Sequence, residues 1–276
     1  MKAHTIRIWE QRYNALLPGR SEGNTRFYNG DQLKRLLNMV SLIRADYKVA
    51  DVCSMTDKRL ADEVKKHKQD SSESQNAIVS SLLVAGLKFD EAAFDRTFDH
   101  ATKRLDFQEV YTEIIYPLIE RLGLLWAENT IIPSQEHFIT HLIRQKIIGA
   151  TNELGSISGK QNWLLFLPED EFHEIGLLFA NYLIRLSGRK TFYFGANLPL
   201  TTLEQAVHSV KPDFVLFFSV RNEEPSFLNS YLEQLMLSKS IRKIFLAKRK
   251  EETDKHLKTK KVNFLYSVEE LENILG

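Results

Sequence analysis

The residues of this chain best suited to metal chemistry are Glu171 and His173, in the run Glu-Phe-His-Glu-Ile-Gly at 171–176. Neutral imidazole is a good ligand for a borderline transition metal, and a carboxylate two positions away can accept the other ring proton and fix the tautomer. The run follows an apolar segment, 163–167, and opens a helix-patterned stretch. We therefore expect it at the carboxyl edge of a parallel sheet, where such sheets bind ligands, and we predict that it holds a metal-bearing cofactor.

A second group of candidates lies upstream, where Trp126 is ten residues from Glu136 and His137 follows directly. A helix that opens at Pro133 would carry Glu136 and His137 within its first two turns. His141 lies four residues after His137 and shares its face. We interpret His141 as ordinary helix surface.

The composition excludes several classes of protein. The chain has 276 residues, 43% of them hydrophobic and 26% charged, as in an ordinary globular protein of two or three domains. It contains no apolar run that could span a bilayer and no visible signal peptide. The single cysteine, Cys53, excludes an intrachain disulfide and a cysteine-based zinc cluster, and it fits a reducing cytoplasm. Motifs of phosphate loops, zinc peptidases and nucleophile elbows are missing, which argues against a hydrolase.

Positive charge is concentrated in two segments although the net charge is only +1. Residues 1–48 carry nine Lys or Arg against four acidic residues, and residues 239–261 carry ten against three. Basic patches attract phosphate without sequence preference. We interpret the second segment as a solvated face and the first as a candidate DNA-binding surface.

The N-terminal segment is expected to be helical on both sides of a basic turn. Helix-spaced apolar residues cover 5–13 and 31–44, with Asp31 as a plausible cap for the second helix. The region between them, 17–28, is rich in turn formers and cations. A further helix is expected at 56–68, and the polar run 70–75 has the composition of a linker. The first domain is therefore placed at 1–69.

The rest of the chain is expected to form a helical bundle at 76–155 and an α/β domain at 160–276. The expected bundle helices are 76–87, 90–104, 107–127 and 134–153. The expected strands are 162–167, 190–194, 213–219, 241–246 and 262–266, and the expected helices among them are 172–187, 200–210, 225–238, 250–257 and 267–275. Such alternation is typical of a doubly wound parallel sheet with helices on both faces.

The N-terminal segment resembles the recognition helix and first wing of the MerR-type transcription regulators over about 65 residues. The resemblance rests on His-Thr-Ile-Arg-Ile-Trp-Glu-Gln-Arg-Tyr at 4–13, Pro-Gly-Arg at 18–20 and Arg-Phe-Tyr at 26–28. It implies a winged helix-turn-helix that contacts double-stranded DNA. The implied DNA-contacting residues are Thr5, Arg7, Arg12 and Tyr13 on the helix and Arg20, Arg26 and Tyr28 on the wing.

The resemblance begins within the turn of the helix-turn-helix, so the first helix of the motif is missing from this chain. Its absence predicts that the apolar side chains of Ile6, Ile8 and Trp9 are exposed. We therefore expect an N-terminally truncated DNA-binding domain, with weaker DNA binding than in the family.

Residues 76–276 resemble the cobalamin-binding module of the CarH and LitR-like light-responsive regulators. The resemblance rests on Trp126 with Glu136-His137, and on the run at 171–176. It implies a helical cap over a flavodoxin-like domain that binds adenosylcobalamin. His173 would coordinate the cobalt in place of the cofactor's own base, with Glu171 as its hydrogen-bond partner. The remaining implied cofactor contacts are Trp126, Glu136 and His137 on the adenosyl face, and Gly176, Gly195 and Ser219 along the nucleotide tail.

Taken together, the two resemblances predict a regulator and not an enzyme. The implied function is cobalamin-dependent, light-responsive control of transcription, with adenosylcobalamin stabilising a DNA-bound dimer or tetramer. The family shows a Gly-Gly pair after the fourth strand, where this chain has Ala-Lys-Arg at 247–249. That departure leaves open a regulator that has lost cobalamin and responds to another ligand or partner. A corrinoid methyl-carrier subunit is a further alternative.

Each candidate site also has a plainer structural alternative. His173 could cap a helix, and Trp126 could pack in the core of a helical bundle. The N-terminal segment could be an ordinary surface helix with a basic loop.

Overall fold

The computed structural model describes residues 3–20, 24, 26–44, 47–66, 71–157, 159–221, 224–249 and 262–276. The chain divides into two compact units, Met1–Ile143 and Arg144–Gly276. Among the described residues, no helix combines the length and the apolarity needed to cross a membrane.

The first unit begins with a small winged-helix arrangement. Its elements are α1 (Ala3–Tyr13), β1 (Gly19–Arg20), β2 (Arg26–Phe27), α2 (Gly30–Arg44), α3 (Val49–Ser54) and α4 (Asp57–Lys66), with β1 and β2 antiparallel. The three expected helices are present, and the short α3 was not expected. The proposed cap at Asp31 is wrong, because the side chain of Asn29 accepts the hydrogen bond from Gln32 N at 2.9 Å. Asn29 precedes α2 directly and so occupies the position that a cap requires.

The expected exposure of the apolar residues of α1 is wrong for two of the three. Ile6 and Trp9 are buried, while Ile8 is 39% exposed. Ile6 and Trp9 belong to a core cluster with side chains of α2, α3 and α4, among them Met39, Val52 and Leu60. Burial against these helices removes the apolar side of α1 from water, and this contribution could not be seen in local sequence.

Arg35 joins the parts of this domain through backbone carbonyl groups. Its guanidinium donates to Ala15 O at 2.7 Å and to Met55 O at 2.9 Å, and it pairs with Asp57 at 2.6 Å. It thereby fixes the segments that follow α1 and α3 against α2. Arg35 is therefore a structural cation within the basic N-terminal segment.

Four helical segments follow, as expected. They are α5 (Ser71–Leu87), α6 (Glu91–Thr102), a segment of α7 (Phe107–Val110), a π-helical turn (Tyr111–Ile115) and α8 (Tyr116–Ala127), and α9 (Pro133–Glu153). The π-helical turn ends two residues before Pro117, which lacks the backbone N–H that a regular helix would use. The proposed linker at 70–75 is wrong from Ser71 onward, because α5 already begins there.

The second unit contains a parallel five-stranded sheet. Its elements are β3 (Asn162–Pro168), α10 (Ile175–Leu186), β4 (Lys190–Leu198), α11 (Leu200–Val210), β5 (Phe214–Ser219), α12 (Pro225–Met236), β6 (Lys243–Lys248), β7 (Val262–Leu265) and α13 (Val268–Leu275). The strand order is β4-β3-β5-β6-β7, the doubly wound order of flavodoxin-like folds. All five strands and four of the helices were expected. The helix expected at 250–257 lies outside the described residues.

The order of the strands places the candidate loop at the switch point of the sheet. The chain leaves β3 to the β4 side first and later returns to the β5 side, so a crevice opens beyond the carboxyl ends of β3 and β5. The loop that bears His173 follows β3 directly. Tyr231 on α12 pins this edge, since its hydroxyl accepts from Glu169 N at 2.9 Å and donates to Leu198 O at 2.8 Å.

Candidate functional site

The candidate loop is organised around the carboxylate of Glu171, which is only 1% exposed. Its Oε1 accepts from the backbone N–H groups of Phe172 and His173, at 2.9 and 3.0 Å. Its Oε2 accepts from the backbone N–H groups of Val220 and Arg221, at 2.9 and 3.0 Å. Because the last two residues directly follow β5, one side chain bridges the carboxyl ends of two neighbouring strands.

The same carboxylate orients the ring of His173. Nδ1 of His173 lies 2.6 Å from Glu171 Oε1, and since an ionised carboxylate only accepts, the proton resides on Nδ1. In the neutral ring this places the lone pair on Nε2, at the far side of the imidazole. The His173 side chain is 61% exposed. The loop therefore presents an oriented nitrogen ligand at the sheet edge.

The pKa of Glu171 is lowered because the hydrogen bonds to its carboxylate stabilise the ionised form. Burial alone would raise the pKa of the carboxyl. The hydrogen bonds from the ring and backbone of His173, and from Arg221 N and Val220 N, outweigh that effect and lower the pKa to about 2. The carboxylate therefore stays ionised and acts only as an acceptor.

The predicted tail-contacting residues are associated with the strands of the same sheet, and the predicted bounds need one correction, at Gly195. Ser219 is buried and is the last residue of β5, as expected, and its hydroxyl donates to Arg221 O at 3.3 Å. Gly195 does not end its strand, because β4 continues to Leu198, but its φ of 74° requires glycine. A Cβ at Gly176 would lie 2.9 Å from the ring of Phe218, so the absent side chain makes room for that ring.

The sequence placed the Ala-Lys-Arg run at 247–249 after the fourth strand of the sheet. In the structure, the first two residues of the run lie within that strand, β6. Ala247 and Lys248 are the last two residues of β6 and pair with Phe218 and Ser219 of β5. Ala247 is buried, and Arg249 is exposed. The bulky side chains of Lys248 and Arg249 therefore begin at the last residue of β6, which is the neighbour of β5 and its Ser219.

The predicted cap residues lie around the turn between α8 and α9. Trp126, near the end of α8, is 47% exposed, so the alternative of a core tryptophan is wrong. Glu136 and His137 lie in the first turns of α9, and His137 Nδ1 is 3.1 Å from Glu136 Oε2. These are polar and aromatic groups on the surface of the bundle.

The predicted DNA-contacting residues lie on α1 and on the hairpin after it. Arg7, Arg12 and Arg20 are exposed, and the Arg12 guanidinium lies 5.5 Å from the ring of Tyr13. Thr5 is partly buried. A basic face is therefore present on the helix that the sequence singled out.

A carboxylate that sequence reasoning missed joins the wing to that helix. Glu10 accepts from Arg26 Nε at 3.1 Å and from the hydroxyl of Tyr28. Burial raises the pKa of Tyr28 first of all, and the hydrogen bond and the charge of Glu10 raise it further. Glu10 thus holds two of the predicted wing residues against α1. These contacts could not be predicted from local spacing, because Glu10 is 16 and 18 residues from its two partners along the chain.

Comparison with known proteins identifies the two parts of the chain. Residues 1–58 match the MerR HTH family of regulatory proteins, and residues 78–148 match the B12 binding domain. The chain carries a MerR-type helix-turn-helix domain and a B12-binding domain. Both resemblances expected from the sequence are confirmed.

The chain is homologous to two bacterial repressors. It is 25% identical to the HTH-type transcriptional repressor CarH of Myxococcus xanthus over 242 residues, which cover 85% of this chain and 80% of CarH. It is 26% identical to the HTH-type transcriptional repressor CarA of the same organism over 234 residues, covering 84% and 77%. The relatives are regulators, in agreement with the expectation that the chain is not an enzyme.

A solved structure supports the fold of the C-terminal part. The Methanosarcina barkeri monomethylamine corrinoid protein matches with a TM-score of 0.60 and 12% identity, covering 72% of this chain and 97% of that protein. At this identity the similarity concerns the fold. It agrees with the helical segment followed by a flavodoxin-like sheet described above.

The site chemistry fits the cofactor that such a domain implies. A single oriented imidazole supplies one metal ligand, which suits a metal that arrives with its own macrocycle, as cobalt does in cobalamin. The carboxylate that fixes the ring is the partner that metal-ligating histidines commonly have. The donor set of the His173 loop is therefore compatible with cobalamin.

The lowered pKa of Glu171 predicts that the stability of the folded chain declines in acid. Its pKa falls from 4.5 to about 2 on folding, so the ionised group contributes stability above pH 4.5 that is lost as the pH falls toward 2. The contribution is roughly 3 kcal/mol. We expect Glu171→Gln to lower the free energy of unfolding near neutral pH by about this amount and to flatten its decline in acid. Urea unfolding at a series of pH values measures both effects, and the exposed Glu169→Gln is the matched control.

The contacts of Glu10 with Arg26 and Tyr28 predict that this carboxylate keeps the wing of the MerR-type domain ordered. Glu10→Ala leaves Arg26 and Tyr28 without this acceptor, and we expect a loss of about 1–3 kcal/mol in stability. Hydrogen exchange at residues 26–28 should become faster, as measured by mass spectrometry. Asp31→Ala, which removes an exposed carboxylate from α2, is the control. Equal exchange in the Glu10 variant and the native chain would show that the wing is held by other contacts.

Proposed function

We propose that the chain is a cobalamin-dependent, DNA-binding regulator of transcription. The observation that carries this proposal is the imidazole of His173, held by a buried carboxylate at the switch point of a flavodoxin-like sheet. The MerR-type domain in the same chain supplies a readout for ligand binding. We further propose three domains, at 1–69, 76–155 and 160–276, as drawn from the sequence.

The proposed cofactor is adenosylcobalamin, and His173 would hold its cobalt through Nε2. Glu171 holds Nδ1 and so keeps the ligand tautomer and ring orientation ready for the metal. Ser219 and Gly195 at the sheet edge, and Gly176 at the start of α10, would line the course of the nucleotide tail. When bound, the cofactor supplies a cobalt–carbon bond that visible light breaks.

The proposed role of the cap residues is to cover the adenosyl side of the cofactor. Trp126 offers an exposed aromatic face, which suits stacking on a nucleoside. The close pair of Glu136 and His137 offers hydrogen-bond partners for ribose hydroxyls or a polar cover for the cobalt–carbon bond. These groups would sense whether the adenosyl group is present.

The proposed DNA interface is the exposed face of α1 with the adjoining wing. Arg7, Arg12 and Tyr13 would contact bases or phosphates, with Thr5 beside them, and Arg20, Arg26 and Tyr28 would contact the phosphate backbone. A closed oligomer, a dimer or a tetramer, would read symmetric sites in the DNA. We place this activity in the cytoplasm, where bacterial promoters lie.

The proposed switch is a difference in affinity. A ligand alters DNA binding only if it binds one arrangement of the protein more tightly than the other. Loss of the adenosyl group would remove the contacts of Trp126, Glu136 and His137 while leaving His173 and Glu171 in place. Light would therefore change the contacts on one side of the cofactor alone.

The cofactor proposal is tested by absorption spectroscopy. We expect the chain, mixed with adenosylcobalamin in the dark and desalted, to retain a corrin spectrum that shifts after green light. His173→Ala should change the spectrum of the bound cofactor and lower affinity by at least the roughly 10–100-fold that loss of a ligand's hydrogen-bond partner costs. His141→Ala, an exposed histidine of α9, should do neither. An unchanged spectrum in His173→Ala would rule out the axial-ligand role, and no retained corrin would favour the cofactor-free regulator.

The DNA-binding proposal is tested by the dependence of affinity on salt. We expect binding to a fluorescein-labelled duplex to weaken steeply as salt rises, and Arg7→Ala to reduce the slope by about one phosphate contact. Fluorescence anisotropy at several salt concentrations measures the slope. Arg96→Ala, an exposed arginine of the bundle helix α6, should leave it unchanged. The same slope for both variants would place the DNA interface away from α1.

A further inference from the structure

A second buried carboxylate, Glu174, lies directly after His173. It is 8% exposed. Its Oε1 accepts from the hydroxyl of Tyr193 at 2.8 Å, and its Oε2 pairs with the guanidinium of Arg144. Burying a carboxylate is costly unless it is paired and hydrogen-bonded. This cluster could not be predicted from local spacing, because its other two members are 30 and 19 residues from Glu174 along the chain.

The three members of the cluster belong to three different elements. Arg144 lies on α9, Tyr193 on β4, and Glu174 on the loop that leads into α10. Burial, followed by the hydrogen bond and charge of Glu174, raises the pKa of Tyr193, so its phenol remains a donor. The geometry is that of an anchor between the loop, a strand and a helix.

Gly195 shows how closely β4 approaches this anchor. A Cβ built at Gly195 would lie 3.0 Å from Glu174 Oε1, tighter than an ordinary contact. The positive φ of Gly195 adds a second reason for glycine. Both observations indicate that the backbone of β4 is shaped to receive the carboxylate of Glu174.

His173 is therefore held between two buried carboxylates that are anchored on opposite sides of β3. Glu171 binds the backbone that follows β5, on one side of β3. Glu174 binds Tyr193 of β4, on the other side. The loop thus spans the central strand with an anchor at each end, and neither anchor uses the coordinating nitrogen of His173.

The guanidinium of Arg144 extends the second anchor to the helix that bears the cap residues. His137 and Arg144 are seven residues apart on α9, so they share a face and lie about 10 Å apart along its axis. One continuous helix therefore carries Glu136 and His137 in its first turns and the partner of Glu174 about two turns later.

We propose that Glu174 is a positioning residue for His173, and that its pairing with Arg144 couples the axial ligand to helix α9. This inference rests on the proposed cobalamin function and deepens it. Glu171 sets the tautomer and rotation of the imidazole, whereas Glu174 sets the position of the loop that carries it. A displacement of α9 acts on the backbone next to His173 through the Arg144 ion pair.

The test compares Glu174→Gln, Tyr193→Phe and Arg144→Met in the full chain, with Glu169→Gln as the matched control on the same loop. The probe is cob(II)alamin, and the readout is its electron paramagnetic resonance spectrum with histidine labelled by the heavier nitrogen isotope. Coupling to labelled histidine distinguishes ligation by a histidine from ligation by the cofactor's own base, and its loss in His173→Ala assigns that histidine to position 173. We expect full histidine ligation in the native chain and in the control. In the three variants we expect about a tenfold weaker affinity and a fraction that keeps its own base.

A second readout uses the protein without cofactor. Hydrogen exchange of residues 169–176 should become faster in the three variants and stay unchanged in the control. Arg144→Met combined with Glu174→Gln should lose no more affinity than Glu174→Gln alone, because the two act as one unit. Tyr193→Phe keeps the ion pair and decides the matter if Glu174→Gln does not fold.

The outcomes separate this inference from the function on which it rests. A native chain that retains no cobalamin, or retains it without histidine coupling, overturns the proposed axial ligation and this inference with it. Native histidine coupling, together with variants that show the same coupling and affinity and lose only thermal stability, overturns the positioning role of Glu174 alone.

Discussion

The sheet edge of this protein depends on one buried negative charge, the carboxylate of Glu171. Four backbone N–H groups and an imidazole converge on it, and two of those N–H groups belong to the segment after a different strand. Removing a charge from water is tolerable only when its hydrogen bonds are replaced in full. The loop after β3 and the segment after β5 are therefore obliged to adopt conformations that supply those donors. The orientation of His173 is a consequence of that requirement.

The MerR-type domain is organised by the same physical device at a smaller scale. Glu10 lies on α1 and holds Arg26 and Tyr28 of the wing, while Arg35 binds carbonyl groups after α1 and α3. In both parts of the chain, a charged side chain with several hydrogen bonds sets the geometry of neighbouring loops. Regular elements provide the framework, and individual ionic groups position the segments to which the ligand and DNA contacts are assigned in the proposed function.

Local sequence was sufficient for the elements and for the pair Glu171 and His173, because periodicity and short spacing are local properties. It failed where the cause lay elsewhere in the chain. The burial of Ile6 and Trp9 depends on helices that follow much later, and the start of α5 at Ser71 overrides a polar composition typical of linkers. The partners of Glu10 and Glu174 could not be predicted because contacts between distant segments leave no spacing to read. The strand β4 also continues to Leu198, four residues beyond the end predicted at residue 194.

Helix α9 carries a constraint on length as well as on residue type. Each residue of an α-helix advances the azimuth by about 100°, so one inserted or deleted residue between His137 and Arg144 would turn Arg144 to another side of the helix. Substitutions in that interval preserve the phase of the helix, although those at the buried Ile139, Leu142 and Ile143 also alter its packing. A lineage that keeps both ends of α9 in use can therefore vary the exposed residues between them, such as His141, but it cannot change the number of residues in the interval.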